Sequence, residues 1–358
     1  MDIPLISQDK VSGKRVFVRA DIDVPLRDSG VTASWRFPRM TITNDTRLKD
    51  IWPTIEFLLG QGCDVIIAGH IGRPEGQKDL TLSTAPIAHW FSAKVNKRQD
   101  FEEPEDIQPY QFPNGLQGFL VSPKLLILEN LRFDPREENN DPQYASELAS
   151  LAQIYVNESF ACAEREHASV VGVPKLLPHY AGFRLAKEVC ELGKILENPS
   201  RPMVVVIGGA KLETKLPVIN KMAQVADAVI VGGKLLVETA DMEFSPKVYL
   251  LKLTEDQKDV VQNTIDSCGS LIEVAKTIVW NGPFGMVEDF TYQVGTKRLA
   301  ELITANDQAY KVVGGGDTVG FLDKLGLTNK FNWVSSGGGS MLKLLAGEKL
   351  PGLEVLLI

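Results

Sequence analysis

The sequence predicts an α/β protein of two lobes joined by a helix, and three observations lead to this prediction. The chain has 358 residues, which is more than a single hydrophobic core usually covers. Segments with strand-like and helix-like apolar spacing alternate in both halves. Residues 181–199 separate the halves, carry apolar side chains at helical spacing and end at Asn198 and Pro199, so we expect a hinge helix there.

The first half, residues 1–180, is predicted to hold four strands and three helices. The predicted strands cover residues 14–23, 63–70, 124–130 and 154–160, and the predicted helices cover residues 44–62, 85–95 and 143–152. The polar segment 27–45 is broken by Gly30 and Pro38. We expect it to be either a surface loop or a strand excursion.

The second half, residues 200–345, repeats this alternation. Predicted strands cover residues 201–210, 227–233, 276–283, 309–316 and 332–339, and predicted helices cover residues 215–226 and 255–275, the latter with a break at Gly269. Because alternating strands and helices imply parallel pairing, we expect two Rossmann-like, three-layer lobes with parallel sheets. The apolar tail, residues 346–358, is predicted to pack back on the first lobe, and a partner-binding strand is the alternative.

The composition is that of a globular protein, with 44% hydrophobic and 23% charged residues. A net charge of -8 argues against a general nucleic-acid binder, and no apolar run approaches the length of a membrane span. The first residues lack the apolar stretch of a signal peptide. The four cysteines are scattered, so we interpret them as reduced thiols and expect a cytoplasmic protein.

Strand after strand of the second half ends in glycine. These glycines are Gly208-Gly209, Gly232-Gly233, Gly282, Gly314 to Gly316 and Gly337 to Gly339. In parallel sheets ligands lie beyond the carboxyl ends of the strands, where glycine admits a ligand and helix N-termini suit phosphate. A tight turn that needs positive φ explains a single such junction as well, but five on one sheet favour a nucleotide site.

Three charged residues near these glycines suit phosphate and metal binding. Lys211 and Lys215 are predicted on one helix face at i and i+4, where their repulsion indicates an anion between them, although a solvated face is the alternative. Asp317 opens a predicted helix with Thr318, so it is either a helix cap or, beside a triphosphate, a ligand of Mg²⁺.

Basic residues mark the strand ends of the first half and the start of its first helix. They are Arg19, Arg47, His70, Arg73, Arg132, Arg165 and His167. Separate surface salt bridges explain any single member. Because arginine forks bind carboxylate and phosphate, a set of this size in an acidic protein indicates a small, multiply anionic substrate. An anion site in one lobe and a nucleotide site in the other suit phosphoryl transfer with hinge closure.

Nine stretches spread along the chain are characteristic of one family. They are GKRVFVRADIDVPL, GHIGRPEG, LILENLRF, VNESFACAEREHAS, RPMVVVIGGAKLETK, VIVGG, TIVWNGPFGMVE, VVGGGDT and VSSGGGSMLKLLAGEKLPGL. In these stretches the chain resembles the phosphoglycerate kinase family over nearly its whole length. Their order and spacing together are highly specific. The resemblance implies a kinase that transfers phosphate reversibly between 1,3-bisphosphoglycerate and ADP, giving 3-phosphoglycerate and ATP, with Mg²⁺. It also implies a monomer, and the charge and hydropathy described above argue against nucleic-acid and membrane partners.

The resemblance carries roles onto residues of the first half. Asp21 matches the aspartate that binds the glycerate hydroxyl, and Arg47 matches the catalytic arginine that reaches toward the transferring phosphoryl group. Asp23 also belongs to the substrate site. The remaining substrate-binding matches are His70, Ile71, Gly72, Arg73, Arg132 and Arg165.

In the second half the resemblance implies a nucleotide site. Lys215 matches the catalytic lysine on the nucleotide phosphates, with Lys211 beside it, and Glu288 matches the carboxylate that holds the ribose. Asp317 matches the metal ligand. The other implied nucleotide contacts are Gly209, Gly233, Asn281, Gly315, Gly316, Thr318 and Gly338.

The chain departs from the family pattern in charge and in length. Asp23 stands where the family usually has asparagine, Glu158 replaces the usual aspartate, and Glu164 replaces the usual histidine. The added acid is expected to weaken substrate binding or to reorient arginines. The second lobe lacks several tens of residues between VIVGG and TIVWNGP, a stretch that helps to enclose the adenine in the family, so nucleotide choice is expected to relax.

Three functions follow from these features. The leading one is an active phosphoglycerate kinase of a shortened kind. The second is a related kinase for a different small acid, suggested by Asp23 and Glu164. The third is a non-catalytic nucleotide-binding or partner-binding protein, which the presence of Lys215, Asp317 and Arg47 disfavours.

Overall fold

The computed structural model describes residues 3–28, 40–96, 107–239 and 241–357. The chain divides into two compact units. Unit 1 comprises Met1–Lys187 and Leu350–Ile358, and unit 2 comprises Glu188–Lys349. The division falls inside a single helix, α6 (Phe183–Glu197), which corresponds to the predicted connector.

Unit 1 contains a seven-stranded mixed sheet and a two-stranded ribbon. Its strands are β1 (Arg15–Ala20), β2 (Leu26–Asp28), β3 (Met40–Ile42), β4 (Asp64–Ala68), β5 (Gln108–Gln111), β6 (Gln117–Ser122), β7 (Leu125–Leu128), β8 (Ile154–Glu158) and β9 (His179–Ala181). The sheet order is β5-β6-β7-β4-β1-β8-β9. The five neighbouring strands β7-β4-β1-β8-β9 pair in parallel, whereas β6 is antiparallel to both of its neighbours, β5 and β7.

The helices of unit 1 bury apolar side chains, except for the short helix Pro135–Glu138, whose one buried residue is Glu137. They are α1 (Gln8–Val11), α2 (Thr46–Gly60), α3 (Ala85–Val95), α4 (Pro135–Glu138), α5 (Pro142–Ala149), the start of α6, and α13 (Pro351–Glu354). In α2, Leu48, Ile51, Ile55 and Leu58 follow the helical period and join the core of β1 and β4. Five of the six residues of β1 are buried, as expected for a central parallel strand.

Unit 2 contains a six-stranded sheet that is parallel throughout. Its strands are β10 (Met203–Ile207), β11 (Ala228–Val231), β12 (Val248–Leu250), β13 (Thr277–Asn281), β14 (Tyr310–Gly314) and β15 (Trp333–Ser335), in the order β12-β11-β10-β13-β14-β15. Its helices are the rest of α6, α7 (Leu216–Val225), α8 (Gln262–Asp266), α9 (Gly269–Val274), α10 (Val294–Ala305), α11 (Gly316–Lys324) and α12 (Gly338–Leu345). Buried Glu188 of α6 accepts hydrogen bonds from Trp333 Nε1 (2.9 Å) and Ser336 N (2.7 Å).

The α/β class with two lobes is confirmed, and three local predictions need correction. The sheet of unit 1 is mixed because β5 and β6 add an antiparallel edge. The predicted helix 255–275 is helical only in α8 and α9, since residues 255–261 form a loop in which Asp259 accepts from Val260 N and Gly295 N. Within segment 27–45, β2 and β3 pair antiparallel, as a strand excursion requires, and residues 29–39 lie outside the described residues.

No helix among the described residues is both long enough and apolar enough to cross a membrane.

Candidate functional site

The carboxyl ends of the parallel strands in unit 1 bring the predicted anion-binding residues to one edge. Asp21 and Asp23 follow β1, His70 to Arg73 follow β4, Arg132 follows β7 and Arg165 follows β8. The chain runs from β1 outward to β4 and β7 on one side and to β8 and β9 on the other. A ligand crevice is expected at such a reversal of strand order.

Arg47 lies in the first turn of α2 and pairs with Asp21. Its Nη1 donates to Asp21 Oδ1 at 2.7 Å, and the charge of Asp21 raises the pKa of Arg47. The Asp21 side chain is only 5% exposed, and its second oxygen, Oδ2, is buried without a hydrogen-bond partner in the described part of the chain. An ionised carboxylate oxygen can only accept, so this atom suits a hydroxyl group of a ligand.

His70 is buried at the centre of the cluster. Its Nδ1 lies 3.2 Å from Nη2 of the fully buried Arg19, and its Nε2 lies 3.8 Å from Asp23 Oδ2. Burial, together with the charges of Arg19 and Arg132, lowers the pKa of His70 well below its ordinary value. The imidazole is therefore neutral near pH 7.

Asp23 and Arg132 both hold the backbone at Gly72. Asp23 Oδ1 accepts from Gly72 N at 2.9 Å, and Arg132 Nη1 donates to Gly72 O at 2.9 Å. Arg132 Nε also lies 2.9 Å from Glu138 Oε1. The oxygen of an asparagine would accept the same backbone hydrogen bond, so the aspartate changes the charge at this position but keeps the contact.

The other predicted residues of unit 1 differ in exposure. Arg73 is exposed and Arg165 half-buried, and neither side chain has an ion pair within the described residues. The side chain of Ile71 is 2% exposed and packs in the hydrophobic core, so only its backbone can face a ligand. Burial lowers the pKa of His167 to about 4, with smaller contributions from Arg19 and Arg132.

The expectation that Glu158 adds negative charge to the predicted anion-binding residues is wrong, because its carboxyl group is bound elsewhere. Its Oε1 accepts from Thr54 Oγ1 (2.5 Å) and Arg184 N (3.0 Å), and its Oε2 accepts from Leu185 N (3.2 Å). The carboxyl group thus caps the N-terminus of α6. Because it is buried there, its pKa is raised to about 7. Glu164 is half-buried at the carboxyl end of β8.

Two buried residues behind the arginines escaped sequence reasoning. Glu137 Oε1 accepts from Ser169 Oγ at 2.5 Å, and Ser169 Oγ in turn accepts from Arg19 Nε at 2.8 Å. Glu137 stands in the run PREEN, which has the pattern of a solvated charged segment. No pattern in the sequence marks it as buried, because the contact joins residues 32 positions apart.

In unit 2 the corresponding reversal of strand order lies between β10 and β13. Lys215 Nζ donates to Asn281 Oδ1 at 2.5 Å, at the end of β13. Asn281 Nδ2 is buried without a hydrogen-bond partner in the described residues. Burial lowers the pKa of Lys215 to about 8, and the charge of Asp317 opposes this shift. A cation and an orphan amide donor at one strand end suit an anionic ligand.

The prediction that Lys211 and Lys215 lie on one face of a helix is wrong. Helix α7 begins at Leu216, so both lysines precede it, and Lys215 is the N-cap residue. Pro217 is in the first turn of α7, where proline is favoured, and the segment before it forms turns. Lys211 is exposed, so the two lysines do not form the expected i, i+4 pair.

The glycines at the strand ends divide into two groups. A Cβ on Gly208 would lie 2.4 Å from Pro283 O, and one on Gly282 would lie 2.1 Å from Gly208 O, so protein packing alone requires these glycines. A Cβ on Gly316 would meet nothing within 4 Å, and Gly316 is exposed. Of these glycines, Gly316 is therefore the one that leaves room for a ligand.

The remaining nucleotide-site residues surround the start of α11. Gly315, with φ of 99°, precedes helix α11. Gly338 lies against Gly315, so that a Cβ added to Gly338 would be 2.9 Å from Gly315 Cα. Thr318 is buried and accepts from Gly282 N at 3.0 Å. Asp317 is exposed in the first turn of α11, and its side chain has no hydrogen bond within the described residues.

Three further positions complete the predicted set. Gly209 is half-buried with φ of 114°, and its backbone N donates to Pro283 O at 2.9 Å. Gly233 is buried against Gly209, where a Cβ would lie 2.7 Å from Gly209 O. Glu288 is exposed in the loop after β13.

Comparison with known proteins gives one consistent family. The family model described as phosphoglycerate kinase matches residues 6–241 and 237–348. Phosphoglycerate kinase of Desulforudis audaxviator (strain MP104C) is 36% identical over 395 aligned residues, which cover 97% of this chain and 97% of that protein. The enzyme of Dictyoglomus turgidum is 34% identical, and the alignment covers 98% of this chain and 97% of that protein.

Solved structures agree with the sequence relatives. Phosphoglycerate kinase from Coxiella burnetii has a TM-score of 0.77 and 30% sequence identity, with 99% of each chain covered. The enzyme from Pyrococcus horikoshii OT3 has the same TM-score and 25% identity, covering 99% of this chain and 98% of that one. Because the similarity extends over nearly its whole length, the chain belongs to the phosphoglycerate kinase family of phosphotransferases.

Proposed function

We propose that the chain transfers a phosphoryl group reversibly between 1,3-bisphosphoglycerate and ADP, giving 3-phosphoglycerate and ATP, with Mg²⁺. The observation that carries the proposal is the buried Asp21, which pairs with Arg47 through one oxygen and leaves the other without a partner in the described residues. That arrangement fits a substrate with a hydroxyl group next to an anionic group. We further propose a cytoplasmic monomer that uses neither nucleic acid nor membranes.

The proposed roles follow from charge. In the ATP-consuming direction a carboxylate oxygen of 3-phosphoglycerate forms a bond to the γ-phosphorus while the bond to the ADP oxygen breaks. Negative charge spreads over the equatorial oxygens, so catalysis is mainly positioning and electrostatics. Arg47 and the ammonium form of Lys215 supply positive charge. Asp21 accepts from the glycerate hydroxyl, and His70, Arg132 and Arg165 bind the acid.

The residues of unit 2 fit a nucleotide with a divalent cation. Asp317 is an exposed carboxylate at a helix N-terminus. Among the described residues no group of three or more His, Cys, Asp or Glu side chains could hold a metal ion by itself. Mg²⁺ would therefore be held by Asp317 together with phosphate oxygens and water, which is its usual way of binding, and it would neutralise charge on the phosphates.

The test is phosphorylation of 3-phosphoglycerate by Mg-ATP, coupled to NADH oxidation through glyceraldehyde-3-phosphate dehydrogenase. We expect turnover, and we expect Arg47→Ala to lower kcat by about 10²- to 10³-fold. The control is Arg298→Ala, on α10 of unit 2, which pairs with Asp266 and should leave kcat unchanged.

Two outcomes would overturn the proposal. Turnover on a different small acid alone would favour a related kinase. Binding of ATP without any turnover would favour a non-catalytic protein.

A further inference from the structure

We propose that Arg19 is a positioning residue that fixes the tautomer of His70, so that His70 presents a neutral Nε2–H donor to the acid substrate. The inference deepens the proposed function, since it assigns a role in the substrate site to a residue that is too buried to touch the substrate. Arg19 is 1% exposed, and His70 is 5% exposed.

The contacts of Arg19 determine where the proton of His70 must be. A guanidinium group only donates hydrogen bonds, so the imidazole Nδ1 that lies 3.2 Å from Arg19 Nη2 must be the acceptor. The other neighbour of Nδ1 is Cys162 Sγ at 4.0 Å. Burial raises the pKa of this thiol, so the group is also a weak donor. The proton of neutral His70 is therefore on Nε2, on the side of Asp23.

Arg19 is itself held on several sides. Its Nε donates to Ser169 Oγ at 2.8 Å and its Nη1 to Ala20 O at 2.6 Å. Ser169 is bound in turn to Glu137, whose Oε2 accepts from Ser169 N at 3.0 Å. This buried chain leaves Arg19 one orientation, with Nη2 directed at His70, which is the way a supporting shell fixes the geometry of a binding group.

Burial and the surrounding charges keep His70 neutral. The charges that disfavour the imidazolium form are those of Arg19 on β1, Arg132 after β7 and Arg47 on α2. Asp23, with Oδ2 at 3.8 Å from Nε2, acts in the opposite direction. A neutral imidazole contributes a directed hydrogen bond without adding a charge that would change within the physiological pH range.

The first test is made on the unmodified protein. Long-range ¹H–¹⁵N spectra of ¹⁵N-histidine-labelled protein report the tautomer of each of the four histidines, and His70→Gln assigns the signal of His70. We expect the Nε2–H tautomer, without protonation, from pH 5.5 to pH 8. An Nδ1–H tautomer, or a His70 that protonates near pH 6.5, would overturn the proposal whether or not the protein has kinase activity.

The second test is Arg19→Met, which removes every hydrogen-bond donor at this position, with the KM for 3-phosphoglycerate and the ¹H–¹⁵N spectra both measured at pH 8. We expect the KM to rise about tenfold, with a smaller change in kcat, because Nδ1 can now carry the proton and turn Nε2 into an acceptor. His70 should stay unprotonated, since its burial and the charges of Arg132 and Arg47 remain, but part of its signal should shift to the Nδ1–H tautomer. A raised KM with His70 still entirely in the Nε2–H tautomer would indicate a merely structural role and overturn the proposal.

A milder variant protects the test against misfolding. Ser169→Ala removes the acceptor of Arg19 Nε and should raise the KM and the share of the Nδ1–H tautomer in the same way, but less. Its matched control is Ser92→Ala, another buried serine, which lies in α3 and hydrogen-bonds only to Asn96 among the described contacts. If Ser169→Ala and Ser92→Ala give the same KM and the same tautomer of His70, the proposed support of Arg19 is wrong.

Discussion

At the scale of single residues, Lys215 combines a charge with a depressed pKa. Its Nζ is bound to Asn281, and burial brings its pKa down to about 8. Below that pH the side chain is an ammonium ion that attracts phosphate, and above it the side chain is a neutral amine. The ability of the free protein to bind nucleotide should therefore depend on pH in a range where ordinary lysines do not titrate.

We expect kcat/KM for Mg-ATP to fall as the pH rises through about 8, because the ammonium form is lost. Lys215→Arg should remove this dependence between pH 7 and pH 9.5, since a guanidinium group does not deprotonate there, even if its value at pH 7 is lower. The control Lys221→Arg, in α7, should keep the parent profile. A flat profile for the unmodified protein would contradict the assignment of Lys215 to the phosphates.

The residues of the two sites could be predicted from the sequence to different degrees. Arg47, His70 and Arg132 could be placed at one edge because parallel strands carry their carboxyl ends together. The buried status of Arg19 could not, since an arginine at a strand end has the same local pattern whether it faces solvent or the core. The partners that bury it, Ser169 and Glu137, are distant in sequence.

At the scale of elements, helix α6 begins on a buried acid. Glu158 accepts from the backbone of Arg184 and Leu185 and from Thr54, and its pKa is about 7. The folded state thus holds a proton more tightly than the unfolded state, in which the group has its ordinary value near 4.5. Between those two pH values the folded state binds more protons, so this group makes stability fall as the pH rises.

The expected size of this effect is about 3 kcal/mol between pH 4.5 and pH 7, from the pKa shift alone. Glu158→Gln cannot ionise, so its free energy of unfolding should fall less than that of the parent from pH 5 to pH 8. Urea unfolding at both pH values measures the difference. Glu56→Gln, an exposed position of α2, should keep the parent slope, and an equal slope for Glu158→Gln would contradict the raised pKa.

Element types followed from periodicity where long-range contacts agreed with local preference. Helix α3 covers the predicted residues 85–95 without any shift, because its apolar positions and its proline at the first turn point to one structure. Residues 255–261 have helical spacing but form a loop. There Asp259 instead supplies acceptors to the start of α10, a tertiary contact that no local pattern reveals.

At the scale of the whole molecule, the two units are built from distant parts of the chain. Unit 1 includes the final segment Leu350–Ile358. Gly352 donates to Ala163 O at 2.9 Å and accepts from Asn157 Nδ2 at 3.2 Å. Leu353 is fully buried, whereas Leu357 is 47% exposed. The segment is therefore a structural part of unit 1.

We expect Leu353→Ala to lower the stability of unit 1 by roughly 2–5 kcal/mol, through loss of apolar burial and the cavity left behind. Hydrogen exchange should then speed up in β8 and in residues 160–170, while β13 and β14 of unit 2 keep their protection. The matched control Leu357→Ala should change neither. Faster exchange spread equally over both units would show that the segment does not belong to unit 1 alone.

The placement of this segment also bears on how the protein is made. Translation proceeds from the N-terminus, so residues 350–357 leave the ribosome only after every residue of unit 2 has been synthesised. A nascent chain that has just completed residue 187 still lacks Leu353, and it lacks Gly352, which hydrogen-bonds to Asn157 Nδ2 and Ala163 O. Folding of unit 1 during synthesis must stay unfinished until unit 2 has emerged.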